Sequence, residues 1–207
     1  LKPGGVLRIA TPDFERITKE YLESLENAVK DDSTTDNYDW MMIQLLDQSV
    51  RKTTGGEMSK FWRDPARLNI DFVAARAGEE SIRVMLESRN KEIPVKRSQI
   101  TRLFRLQPKR MYSEIRIRLA AYLVKLIAGN SAVAAFKEGI FRNSGEIHQW
   151  MYDRYSLGRL LKKTGFTNPR VCSAAESIIP NFSSYELDIK NGKIRKPDSL
   201  YMEAVKT

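Results

Sequence analysis

His148 is the only histidine in the 207 residues, and Trp150, Tyr152 and Asp153 follow it closely. An imidazole titrates near neutrality, so His148 suits general-base removal of a proton from a hydroxyl. The competing reading is a histidine that packs its ring and hydrogen-bonds locally. Asp47, Arg51 and Glu57 form a second polar group around an aromatic helix and the Gly55-Gly56 turn. As substrate contacts they would offer both charges. Asp47 and Arg51 are four apart on one helix face, however, and can simply pair with each other. Cys172 is the single cysteine. It excludes an internal disulfide and a cysteine-based zinc site, reads as a small core residue, and fits a reducing, cytoplasmic setting. One histidine and one cysteine leave no residues for a multi-histidine or thiolate metal centre.

Charge is unevenly placed. The chain carries 35 Lys and Arg against 26 Asp and Glu, a net of +9. Between Arg89 and Arg118 lie ten cations and only two acids, Glu92 and Glu114, so this stretch holds +8 of that total. An anionic acceptor such as a phosphate-linked sugar or lipid, an anionic membrane face, or nucleic acid would each match it, with Phe104 and Tyr112 available for stacking. A solvated helical surface is the plain alternative.

With 42% hydrophobic residues the chain has enough apolar material for a packed core. The longest apolar run, Leu119–Ala128, is interrupted by Lys125, so no transmembrane segment is expected. Neither a Gly-x-Gly-x-x-Gly nor a phosphate-loop pattern occurs.

These groups need elements to position them. After Pro3-Gly4-Gly5, the aliphatic run Val6 to Thr11 predicts a buried strand. Pro12-Asp13 starts a helix with Phe14, Ile17, Tyr21, Leu22 and Leu25 on one face, ending near Asp31-Asp32-Ser33. Further helices are expected over Tyr38–Arg51, Met58–Phe61, Glu79–Glu87 and Met111–Ala128. The last continues over Ala132–Phe141 after a break at Gly129-Asn130. Nothing between 33 and 147 predicts a strand. Ser156 is the expected N-cap of a helix over Leu157–Thr164 closed by Gly165. Strands are expected at Pro169–Ser173 and Leu200–Val205, with a turn at Asn191-Gly192 between Glu186–Ile189 and Lys193–Arg195.

Three stretches together resemble class I S-adenosylmethionine-dependent methyltransferases: LKPGG-VLRIATPD (Leu1 to Asp13), YSLGRLLKKTGF (Tyr155 to Phe166) and SLYMEAVK (Ser199 to Lys206). They are similar to that fold's turn and fifth strand, the helix before its sixth strand, and its antiparallel seventh strand. IHQWMYDRYSL (Ile147 to Leu157) resembles the approach to that helix. The resemblance covers about a third of the chain. It implies an α/β fold: the C-terminal part of a Rossmann-like methyltransferase sheet, mixed, with an antiparallel last strand, plus a large helical insertion. The implied division is 1–32 and 148–207 as methyltransferase-like core, with 33–147 as a helical insertion or lid.

In open α/β sheets ligands sit outside the carboxyl ends of the strands. The resemblance therefore implies that Thr11, Pro12 and Asp13 lie near an acceptor cleft under that lid, with Asp13 orienting an acceptor group or serving only as a helix N-terminal acid. It casts His148 and Asp13 as catalytic candidates, and Thr11, Pro12, Asp47, Arg51, Glu57, Trp150 and Tyr152 as substrate-binding candidates. The cofactor of the family is S-adenosylmethionine. Its glycine-rich loop and ribose-binding acid would lie upstream of Leu1, so the chain reads as the C-terminal portion of something longer, not expected to bind the cofactor tightly alone. The implied acceptor is a small molecule, a glycan or a lipid-linked intermediate. In the family the fourth strand flanks the fifth, so here the edge of Val6 to Thr11 is open and a homodimer is expected. The reading from a different class is a non-catalytic module that binds nucleic acid or an anionic surface through the basic stretch.

Overall fold

The computed structural model describes residues 1–64, 66–67, 69–78, 81–83, 86–87 and 108–207. The protein is a mixed α/β molecule. Strands β1 (Val6–Pro12), β2 (Phe166–Cys172) and β5 (Ser199–Lys206) form one sheet in the order β1-β5-β2, and both ladders are antiparallel. The last strand in the chain is thus the central one, and β1 and β2, both antiparallel to it, run in the same direction. Among the described residues parallel pairing is limited to one isolated bridge, Asp13 with Tyr152, so the mixed sheet expected from the sequence appears only as its antiparallel part.

The faces follow the two-residue period of a strand. Leu200, Met202 and Ala204 of β5 pack with Leu157 and Leu161 of the helix over Arg154–Lys163, and each buried leucine contributes roughly 2 kcal/mol. Tyr201 and Glu203 point to the opposite face, where Cys172, Ala174 and Ile189 lie. β2 accommodates Pro169 because it is an edge strand whose register shifts between Thr167 and Arg170, with Asn168 at φ 51°. β3 (Ile189–Lys190) and β4 (Lys193–Ile194) close the expected tight turn through Asn191 and Gly192, both at positive φ.

A second core joins α1 (Phe14–Lys30), α2 (Thr35–Val50), α3 (Gly56–Arg63) and α4 (Ile70–Ala77) around Ile17, Trp40, Met41, Phe61 and Val73. Helix α4, on the N-terminal side of Gly78, has no counterpart among the expected helices. Of the expected Glu79–Glu87 helix, residues 81–83 and 86–87 are helical, and Glu79, Glu80, Val84 and Met85 lie outside the described residues. Helix α5 (Pro108–Arg142) bends at Gly129, whose φ of 81° and ψ of −174° fall where the break was read.

Two expectations are corrected. No transmembrane segment is expected from Leu119–Ala128, interrupted by Lys125, but the helix and its apolar character continue beyond Gly129-Asn130. Within Tyr112–Arg142 an 18-residue window has a mean hydropathy of 1.6 and is not buried, so the helix is long and apolar enough to cross a membrane by length and composition. The helix α6 (Arg154–Lys163) begins three residues before Leu157. Its N-cap is Asp153, whose Oδ1 accepts from the Tyr155 and Ser156 amides at 2.9 and 2.7 Å. Ser156 is the other half of this capping box, its Oγ accepting from the Asp153 amide at 3.1 Å. A carboxylate caps better here because it satisfies two amides at once. Gly165, at φ 81°, follows the helix end as expected.

Candidate functional site

A cavity of about 510 Å³ opens at the carboxyl end of β1. Three elements converge on it. β1 delivers Thr11 and Pro12, and the register Pro12 to Ser199 brings the start of β5 alongside. Helix α2 presents Trp40, Gln44 and Gln48, spaced by four and so on one face. The segment ahead of α6 contributes His148, Trp150 and Tyr152, alternating as in an extended chain.

Backbone hydrogen bonds lock these pieces together. The His148 amide donates to the Gln48 carbonyl at 2.9 Å, the Phe14 amide to the Tyr152 carbonyl at 3.0 Å, and the Asp13 amide to the Asp198 carbonyl at 3.2 Å. The aromatic wall comes from Trp40 and Trp62, whose rings stack with centroids 6.2 Å apart.

The electrostatics favour a neutral imidazole. Burial, then the positive charges of Arg51 and Lys196, push the His148 pKa below its ordinary value. Asp198 shifts the opposite way. Burial raises its pKa against the opposing pull of its own backbone hydrogen bond, Arg16 and Lys196. Gln44 Nε2 donates to Asp198 Oδ2 at 2.5 Å, and Gln44 Oε1 is buried with no hydrogen-bond partner among the described residues. Trp40 Nε1 is buried in the same wall, also with no partner among the described residues. An orphaned acceptor and an orphaned donor, on side chains 4% and 1% exposed, are costly in a dry interior.

Of the residues singled out in the sequence, the cavity gathers Thr11, Pro12, His148, Trp150 and Tyr152. Asp13, Asp47, Arg51 and Glu57 do not line it. Asp13 caps α1, its Oδ1 accepting from the Arg16 amide at 3.2 Å. Asp47 anchors the start of α3. It accepts from the Glu57 amide at 2.7 Å and pairs with Arg51 Nη2 at 3.2 Å. Gly56 has to be glycine for this contact, because its φ is +50° and a Cβ would fall 2.2 Å from Asp47 Oδ1. The Glu57 carboxylate turns to solvent against Lys60. Arg51 still reaches the site through its field on His148. Sequence reasoning missed Trp62, Lys196 and Asp198. For Gln44 and Gln48 the usable signal is the polar residue type on an otherwise apolar helix.

The basic stretch 89–118 lies largely outside the described residues. Within them, Arg116 sits over Tyr112, 5.7 Å from the ring centroid, and Arg118 lies 3.8 Å from Glu114.

No family model matches this chain, and neither a curated protein nor a solved structure is found to be similar to it.

Proposed function

We propose that this chain is the acceptor-binding portion of an S-adenosylmethionine-dependent methyltransferase that methylates a small-molecule, glycan or lipid-linked acceptor. The observation that carries the reading is the strand order β1-β5-β2, with an antiparallel last strand inserted between two strands of common direction and a polar-aromatic cavity at the carboxyl end of the first. That order and that place for a ligand suit the resemblance of the three quoted segments.

The turn after β1 offers the cofactor no cradle. The turn from β1 into α1, Thr11-Pro12-Asp13, holds no glycine that would let backbone approach a nucleoside, and Asp13 is engaged in capping. The part played by this chain is therefore confined to the acceptor. The half-buried Trp62 ring, backed by the buried Trp40, forms an apolar shelf for a sugar or other flat ring, and Gln48 and Lys196 line the same cavity as polar contacts. A neutral His148 takes the proton from an acceptor hydroxyl as it becomes nucleophilic. Correct placement of that hydroxyl is the larger contribution to rate, since methyl transfer needs donor and nucleophile in line.

The decisive experiment offers labelled methyl donor to the protein encoded by its complete gene, with glycan, lipid-linked and small-molecule fractions as acceptors. Label is expected in one fraction. Its absence from all three overturns the reading. Calorimetric titration of this chain alone with S-adenosylmethionine is expected to show nothing as tight as about 1 μM. Tighter binding would mean that a cofactor site exists within these residues.

A further inference from the structure

We infer that helix α5 is a membrane-docking element that lies in the interface of an anionic bilayer. Among the described residues nothing covers its apolar arc. Tyr112, Ile115, Leu119, Tyr122, Leu123 and Leu126 are all exposed, from 49% for Leu123 to 65% for Tyr112. At 3.6 residues per turn these six fall within an arc of about 100°. Contacts with the body are at the far end, where Lys52 Nζ lies 3.4 Å from Glu138 Oε2 and Thr54 Oγ1 donates to the following Glu146 at 3.0 Å.

The polar residues say which occupant fits. Glu114, Arg118 and Lys125 are spaced by four and seven, which places them in a stripe about 40° wide that flanks the apolar arc, about 110° from its centre. A straight span would bury Lys125 and the Gly129-Asn130-Ser131 kink near mid-membrane, which is expensive. A helix lying flat keeps that stripe in water and its apolar arc in the acyl boundary. Arg116 is at the margin of the arc with its guanidinium over Tyr112, a position from which it snorkels to a phosphate. The sequence leading into and through the first turns carries +8 over Arg89–Arg118, which complements anionic headgroups. A second copy of this chain would cover the apolar arc but, itself carrying +9, would repel that charge.

The test is co-flotation of the intact chain with vesicles of phosphatidylcholine alone or mixed with phosphatidylglycerol. Binding to the mixed vesicles is expected, falling with salt and with omission of the anionic lipid. Leu123→Asp with Leu126→Asp is expected to weaken it about a hundredfold through lost apolar transfer. Arg116→Glu with Arg118→Glu is expected to remove the preference for anionic lipid. Both pairs lie on an exposed helix, and an unchanged melting curve checks that each variant folds. In a Cys172→Ser background, Lys125→Cys is expected to stay reactive to a water-soluble maleimide on vesicles while Leu126→Cys becomes protected. Failure of the parent chain to float, or flotation unaffected by the apolar pair, overturns the inference. So does protection of both cysteines, the mark of a span, or protection without lipid, the mark of a second copy.

Discussion

Arg8 and Glu203 face each other across the β1–β5 ladder, and Arg8 Nη1 donates to Glu203 Oε1 at 2.8 Å. Glu203 is fully buried, a position few carboxylates occupy without several partners. It has them: besides Arg8, it accepts from Arg170 at 2.9 Å, from the Ser177 hydroxyl at 2.5 Å and from the Ile178 amide at 2.9 Å. Arg8 is equally committed, bonding Asp188 at 2.6 Å and the Ser173 and Glu176 carbonyls, with its guanidinium 4.5 Å from the Phe182 ring centroid. This network fastens the 173–188 loop to the back of the sheet, opposite the helix α6 face.

Glu203 therefore makes stability depend on pH. Burial by itself would raise its pKa, but the hydrogen bonds from Ser177, Ile178, Arg170 and Arg8 outweigh burial and hold it at about 2, below the ordinary 4.5. A depressed folded-state pKa contributes stability above pH 4.5, lost as pH falls from there toward 2, on the order of 3 kcal/mol. Asp198, whose pKa is raised, acts in the opposite sense and makes the net acid limb shallower. Denaturant titrations between pH 2 and 6 should show stability rising with pH in the parent. Glu203→Gln should flatten that rise and cost about 3–5 kcal/mol at neutral pH, because Arg170 loses its carboxylate and the buried Arg8 keeps only Asp188. A variant with the parent's acid limb would assign it elsewhere.

Such a network was not legible in the sequence, although the strand that carries it was. SLYMEAVK reads as a strand from its β-forming residues, and Glu203 in that run gives no hint that Arg8, 195 positions earlier, neutralises it. Local features were legible where one residue suffices: the Asn191-Gly192 turn, the kink at Gly129 and the stop at Gly165 each follow from a backbone preference. The N-terminus of α6 was misplaced because Ser156 and Asp153 are both good caps, and only the reciprocal geometry decides between them. At the site, residues on β1 and beside His148 were found from local sequence. Asp198 was not, because its burial depends on α2 and α4 packing against the turn before β5.

His148 can be followed directly, since it is the only imidazole in the chain. Its proton NMR titration should fall below the ordinary value of 6.5, because burial and the charges of Arg51 and Lys196 disfavour the imidazolium. Arg51→Met should move the midpoint upward. In the complete enzyme of the proposed function, His148→Ala should lower turnover about a hundredfold or more with little change in melting temperature. The amide that bonds Gln48 is retained in that variant. A parent midpoint at or above 6.5 would contradict the electrostatic account, and full activity of the alanine variant would remove His148 from the chemistry.

Gly56→Ala probes the positioning of α3 without touching the cavity. The new methyl would meet the Asp47 carboxylate at a positive φ that side chains rarely adopt, so both the Asp47–Glu57 contact and the backbone would shift. A loss of about 2 kcal/mol or more is expected in chemical denaturation. Because α3 carries Trp62, ligand affinity at the cavity should fall as well. A neutral substitution would show that the loop relaxes and that Asp47 is not the anchor of α3.

The sheet itself predicts an assembly. β1 pairs with β5 along one edge, and among the described residues no strand pairs with its other edge. Its residues Val6 to Ile9 are half-buried rather than covered. An open aliphatic edge is a template for another chain, and a two-fold pairing of β1 with β1 is the simplest closed solution. Light scattering at tens of micromolar should report a dimer. Ile9→Pro would remove an amide from one of the two ladders, but Leu7 and Ile9 also pack against the Leu157 cluster, so that change would confuse edge with core. Arg8→Lys is no better, since it disturbs the Glu203 network. Methylation of backbone amides on β1, introduced by semisynthesis from the N-terminal side, isolates the edge. Methyl groups on the outward amides should yield a monomer with the parent's fold, and those on the β5-facing amides should unfold it. A parent that scatters as a monomer would mean that the outer edge of β1 is closed within a single chain.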